Sequence, residues 1–134
     1  MVLEWTRDIE LGIQSIDNQH KELIELINKV LEACNLGKGK ETVGVALDFA
    51  TSYAFKHFKS EEGLMRERNY PEYVNHKSFH QEFERDVTAL KSEFDQVGPT
   101  ISIVLKLNRL LVDWLIKHIK NEDRKVASFI KSLG

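Results

Sequence analysis

The chain contains five histidines, His20, His57, His76, His80 and His118. His76 and His80 are four residues apart, and so are His57 and Glu61. Four steps of about 100° bring an α-helix nearly back to its starting direction, so each pair faces one way. Imidazole nitrogens and carboxylate oxygens are ligands for first-row transition metals. A single helical histidine pair is also common as a solvated or hydrogen-bonded feature, so HKSFH (residues 76–80) by itself leaves both readings open. Asp123 poses a different problem, because it lies five residues after His118. Five α-helical steps place it about 140° away. The two can serve one site only if the helix widens or breaks between them, for example at Lys120-Asn121-Glu122. The alternative is that Asp123 caps a tail helix.

The elements that carry these residues can be read from apolar spacing. Residues 1–15 show no sustained period and read as an arm, with Trp5, Ile9, Leu11 and Ile13 available to pack on the domain. Asp17 is a candidate cap for a first helix over about 17–35, whose inward face is Ile16, His20, Leu23, Ile24, Ile27, Val30, Leu31 and Cys34. The glycines of LGKGK (residues 36–40) supply a helix exit. A second helix, about 41–68, turns inward Val43, Leu47, Ala50, Ala54, His57, Glu61, Leu64 and Met65. Pro71 marks the turn into a third helix, about 72–94, which buries His76, Phe79, His80, Phe83, Val87, Leu90 and Phe94. After Gly98-Pro99, Thr100 is the expected N-cap of a fourth helix over about 100–120. That helix carries Ile101, Val104, Leu107 or Leu111, Trp114, Leu115 and His118, and a short tail helix over about 123–132 follows.

Four long helices joined by turns of a few residues predict an all-α, up-down-up-down antiparallel four-helix bundle with an N-terminal arm and a short C-terminal helix. The chain, residues 1–134, reads as a single domain, without repeat or linker and without room for a further output domain. In such a bundle the start of the first helix, the end of the second, the start of the third and the end of the fourth share one end. All five histidines and Glu61 therefore converge on one layer of the core. A lone core histidine is usually a satisfied hydrogen-bonder, but five with a buried carboxylate leave a large desolvation penalty that a bound cation removes.

Composition limits the remaining options. Hydrophobic residues make up 42% and charged residues 30% of 134, which suits one soluble globular domain. The formal net charge is −2 with mixed signs and no basic stripe, which argues against nucleic acid. No apolar run reaches membrane-spanning length, and the first residues do not form a secretory signal. The one cysteine, Cys34, fits a reducing, cytoplasmic setting. It lies 14 residues from His20, about 21 Å along a helix, and reads as a buried structural thiol outside the site.

Taken together, the motifs resemble the hemerythrin family, and its single-domain bacterial members in particular. The resemblance runs from Trp5 to Asp123 and includes Gly12, Ile16-Asp17-x-Gln19-His20, His57-x-x-x-Glu61-Glu62, His76-x-x-x-His80 and Trp114-Leu115-x-x-His118-x-x-x-x-Asp123. It implies a cofactor of two non-haem irons joined by an oxo or hydroxo bridge. His76, His80 and His118 would hold one iron, His20 and His57 the other, with Glu61 and Asp123 bridging both. The resemblance also implies that Asp123 is a ligand rather than a cap.

That ligand set falls one bond short of two octahedral irons, and the gap lies on the iron with two histidines. The family resemblance implies that O₂ binds there reversibly, in a carrier, store or delivery module rather than an enzyme. Leu23, Phe58, Trp114, Leu115 and Ile119 would wall the O₂ pocket; each is equally at home in an ordinary core. Two alternatives stand beside this reading. One is an O₂- or redox-sensing domain acting through a partner. The other is a di-iron enzyme of ferroxidase, peroxidase or oxygenase type, although such sites carry more carboxylate and this one has two carboxylates against five histidines. The mixed surface charge predicts a monomer without nucleic-acid or membrane partners.

Overall fold

The computed structural model describes residues 3–133. Met1 and Val2, the first two residues of the expected arm, and Gly134 lie outside the described residues. Three single helices, α1 (Gln14–Asn35), α2 (Lys40–Glu67) and α3 (Tyr73–Val97), are followed by a fourth helical rod. This rod runs without a break through α4 (Ile101–Asn108), a π-helical turn Arg109–Trp114, α5 (Leu115–His118), a second π turn Ile119–Asp123, and α6 (Arg124–Ser132). Helix α1 packs on α2, α2 on α3 and α3 on the fourth rod, forming a four-helix bundle.

Where the helices end follows from local chemistry. Helix α1 begins at Gln14, a turn earlier than a cap at Asp17 would require. Asp17 instead reaches back and accepts the Leu11 and Gly12 amides at 2.9 and 3.0 Å. Gly12 has φ +84°, a conformation only glycine adopts freely, and this bend turns both amides toward one carboxylate. Helix α3 continues to Val97 and stops at Gly98, whose φ of +73° returns its amide to the Phe94 carbonyl at 2.7 Å. Thr100 caps α4 through its hydroxyl, which accepts the Ile103 amide at 3.2 Å.

The tail helix is not separate. The backbone stays helical at Asn108, Trp114, His118 and Asp123, so of the two possibilities between His118 and Asp123 the helix widens rather than breaks, and it widens a second time at Arg109–Trp114. Along this rod Ile103, Leu107, Leu111, Leu115, Ile119 and Asp123 are all buried, at a strict interval of four. Each interval of four α-helical steps overshoots a full turn by about 40°, so five would rotate the stripe by about 200°. The wide π turns take this overshoot back and keep the stripe on the core. Both Leu107 and Leu111 are therefore inward.

The main core runs through all four rods and includes Ile27, Val30, Val43, Leu47, Phe83, Val87, Ile103 and Leu107. The arm packs on the domain as expected: buried Ile9 and half-buried Trp5 join the main core, while buried Leu11 and half-buried Ile13 form a smaller cluster with Ile16 and Ala127. Asn28 pins the arm by a pair of hydrogen bonds to the Leu3 backbone, at 2.7 and 2.8 Å. Several inward assignments need correction, Val104 and Cys34 among them, since both are only half-buried. Phe79 is 38% exposed, Ile101 is 82% exposed, and Leu64 is only half-buried. Phe79 is three residues from both His76 and Glu82 and sits at the edge of the buried stripe, so its ring lies along a surface groove beside Trp114 and His118. Cys34 is half-buried at the edge of the main core rather than enclosed, and burial raises its thiol pKa.

Candidate metal centre

Each rod delivers its polar residues to one end of the bundle. His20 comes from α1, His57 and Glu61 from late α2, His76 and His80 from early α3, and His118 and Asp123 from the fourth rod. All seven are buried. The second π turn makes the last pairing possible: it carries Asp123 round so that Oδ1 lies 3.1 Å from His118 Nε2. Asp123 makes no capping hydrogen bond to α6, which excludes its role as an N-cap.

The seven side chains fall into two overlapping groups. One contains Glu61, His76, His80, His118 and Asp123, and the other His20, His57, Glu61 and Asp123. In each group the candidate ligand atoms lie within 4.8 Å of one another. Glu61 and Asp123 belong to both and stand between them. Glu61 Oε1 lies 2.7 Å from His76 Nε2 and 3.4 Å from His80 Nε2, while its Oε2 is 3.6 Å from His57 Nε2. Asp123 places Oδ1 3.0 Å from His76 Nε2 and Oδ2 3.2 Å from His20 Nε2. The Nε2 atoms of His20 and His57 face each other at 3.0 Å, and those of His80 and His118 at 3.1 Å.

These approaches are close, yet many lack hydrogen-bond geometry. His20 Nδ1, His76 Nδ1 and Nε2, both Glu61 oxygens and Asp123 Oδ1 are buried without a hydrogen-bond partner. Each such orphan costs ~1–3 kcal/mol. His76 Nε2 and the carboxylate oxygens point into shared space rather than along one another's bonds, which is the arrangement of ligands around a common cation. Five imidazoles with two carboxylates form a nitrogen-rich donor set that suits iron. The residues fit two bridged cations.

The electrostatics point the same way. Desolvation and the Asp123 charge push the Glu61 carboxyl up, but His76 and His80 outweigh them and hold it below its ordinary value. Asp123 is likewise raised by desolvation, and His118, His20 and His76 reverse this and hold it well below. Desolvation lowers His76 and His20, whereas the carboxylates raise both beyond it, His76 to about 10. At His57 desolvation prevails and lowers the ring to about 4. Two ionised carboxylates thus sit in the core, each needing positive charge.

The surroundings are unequal. Phe58 stacks flat on His80, with centroids 4.0 Å apart and planes at 9°, and Trp114 stacks on His118 at 4.8 Å and 8°. These two expected pocket residues therefore lean on the three-histidine group. Leu23, Leu115 and Ile119 are buried in the main core, and Trp114 is half-buried against it. Two further residues contact the rings from outside. Glu62 Oε2 accepts from His80 Nδ1 at 2.8 Å, and Gln19 Oε1 meets His57 Nδ1 at 2.6 Å. Sequence reasoning quoted both without giving them a role. The available signal was adjacency: each is one residue from a ligand, hence about 100° round the helix and facing a neighbouring rod.

Comparison with known proteins agrees with this geometry. Residues 11–130 match the family model described as the hemerythrin HHE cation binding domain. A bacteriohemerythrin of Stenotrophomonas maltophilia is 34% identical over 131 residues, covering 98% of this chain and 83% of that one. Another, from Pseudomonas paraeruginosa, is 37% identical over 121 residues, covering 90% and 76%. A crystal structure of wild-type hemerythrin superposes with a TM-score of 0.85 at 26% identity, covering 96% of this chain and 97% of that one.

Proposed function

The chain belongs to the hemerythrin family, and from that premise we propose that it is a non-haem di-iron protein that binds O₂ reversibly, as a carrier, store or delivery module. The observation that carries this reading is the sharing of Glu61 and Asp123 between two groups of buried histidines. His76, His80 and His118 would hold one iron and His20 and His57 the other, with Glu61 and Asp123 shared between the two groups. When bound, the iron pair supplies the electrons that make O₂ binding reversible.

The protein's own residues hold and enclose. Glu61 and Asp123 balance cationic charge inside the core, and the fixed imidazoles limit the number of open positions. His20 and His57 bring two nitrogens where the other group brings three, so an iron held by them would be the one with room for O₂. Leu23, Phe58, Trp114, Leu115 and Ile119 keep water out; Phe58 and Trp114 also fix the orientation of His80 and His118. No acid or base outside the ligands is needed, in keeping with binding rather than turnover.

No helix among the described residues is long and apolar enough to cross a membrane. We place the protein in the cytoplasm as a monomer, a reading supported by its one free thiol and its mixed surface charge.

The test is iron quantitation together with an optical spectrum of the reduced protein before and after exposure to air. The expected result is two irons per chain, one for each group, and a visible band that appears with O₂ and disappears on its removal. O₂ consumption without a reversible band would favour an enzyme. Zinc occupancy without colour would overturn both readings.

A further inference from the structure

The two halves of the centre differ in what stands behind their histidines. In the three-histidine half, His80 donates its outer N–H to the carboxylate of Glu62 at 2.8 Å, inside a largely buried contact. Both flat aromatic stacks on histidine rings recorded among the described residues also fall on this half, on His80 and His118. In the other half, His57 Nδ1 meets only the neutral amide of Gln19; His20 Nδ1 here and His76 Nδ1 in the three-histidine half both lack a partner, so the carboxylate behind His80 is the difference. His20 and His57 touch each other edge to face, at 4.6 Å and 73°. A carboxylate behind a ligating imidazole fixes its tautomer and raises its basicity, and losing such a partner weakens metal binding by roughly 10–100-fold.

We propose that Glu62 is a positioning residue that makes the three-histidine half the tighter cation seat, the one that fills first and empties last. Through His80 it strengthens one half of the centre selectively, and Gln19 supplies no matching charge to the other. The proposal rests on the dinuclear reading given above.

The test uses the full iron-loaded chain, reduced without air and challenged with an excess of a ferrous-iron chelator. Iron should leave in two phases of equal amplitude. Glu62→Gln keeps the shape and a hydrogen-bond acceptor but removes the charge, and should speed the slow phase roughly 10–100-fold while leaving the fast phase unchanged. Gln19→Glu, which gives the weaker half a carboxylate, should slow the fast phase toward the slow one. A general loosening of the fold would speed both phases, so phase selectivity separates positioning from structural support. Single-phase release from the wild type would overturn the proposal, as would acceleration of both phases by Glu62→Gln. If Glu62→Gln does not load iron, Gln19→Glu decides: an unchanged fast phase overturns the proposal. A chain that carries one iron before the challenge would instead sink the dinuclear reading, and the proposal with it.

Discussion

His118 Nε2 and Asp123 Oδ1 lie 3.1 Å apart although five residues separate them, and the π turn Ile119–Asp123 accounts for this. The turn contains one residue more than an α-helical turn would hold at that point. Deleting the exposed Asn121 should close the segment to ordinary α-helix with the aspartate four residues after His118. It would then point within about 40° of that histidine. This variant should keep its iron. Inserting alanine after Asn121 should swing the aspartate a further 100° or so and reduce iron content. Metal analysis of the two variants checks the register argument, which fails if both lose iron alike.

Leu115 is fully buried in the core between the two π turns, three residues before His118. Leu115→Ala should destabilise the protein by about 2–5 kcal/mol through transfer and cavity terms. It should retain both irons yet autoxidise faster, because the space it opens beside the centre admits water. Denaturant unfolding and the decay of the oxygenated band measure these separately. Unchanged autoxidation would remove Leu115 from the pocket.

Four buried atoms that face the shared space, His76 Nε2, both Glu61 oxygens and Asp123 Oδ1, lack hydrogen-bond partners, so a bound cation contributes directly to folding. Chelation should lower the thermal midpoint by more than about 5 °C, and returning ferrous iron should restore it. A midpoint that does not respond to chelator would mean that the core tolerates these groups unaided.

The arm is tied to the fourth rod near the centre. Asp8 Oδ2 pairs with Lys120 at 2.8 Å, and Arg124 donates to the Asp8 carbonyl. The hydrogen bond from Lys120, helped by Thr6, lowers the Asp8 carboxyl from 3.8 to about 2. A depressed carboxylate contributes above its unfolded value, so this tie is intact above 3.8 and is lost as pH falls through about 2. Carboxyl ¹³C shifts should report the low value in the wild type and a return toward 3.8 in Lys120→Ala. An unshifted titration in the variant would show that Thr6 alone sets it.

Spacing in the sequence determined which residues share a face and which end of the bundle each histidine occupies. Those features are local: the period of 3.6 and the order of turns settle them before any contact forms. The convergence of His20, His57, Glu61, His76 and His80 was legible for that reason. The four-residue interval from Ile103 to Asp123 was equally visible. It contained the signal for the first widening, at Arg109–Trp114, whereas the five-residue step from His118 to Asp123 pointed only to the second. Only the tertiary structure decided how the helix absorbs that interval, because a π turn is unfavourable alone and persists where the core and the buried carboxylate hold it. It also decided that Phe79 faces outward while Glu62, in an acid-rich stretch that admits a solvated reading, turns in to His80. Periodicity gives a side chain's direction round its own axis. What it meets there depends on the neighbouring helix, and that is a property of packing.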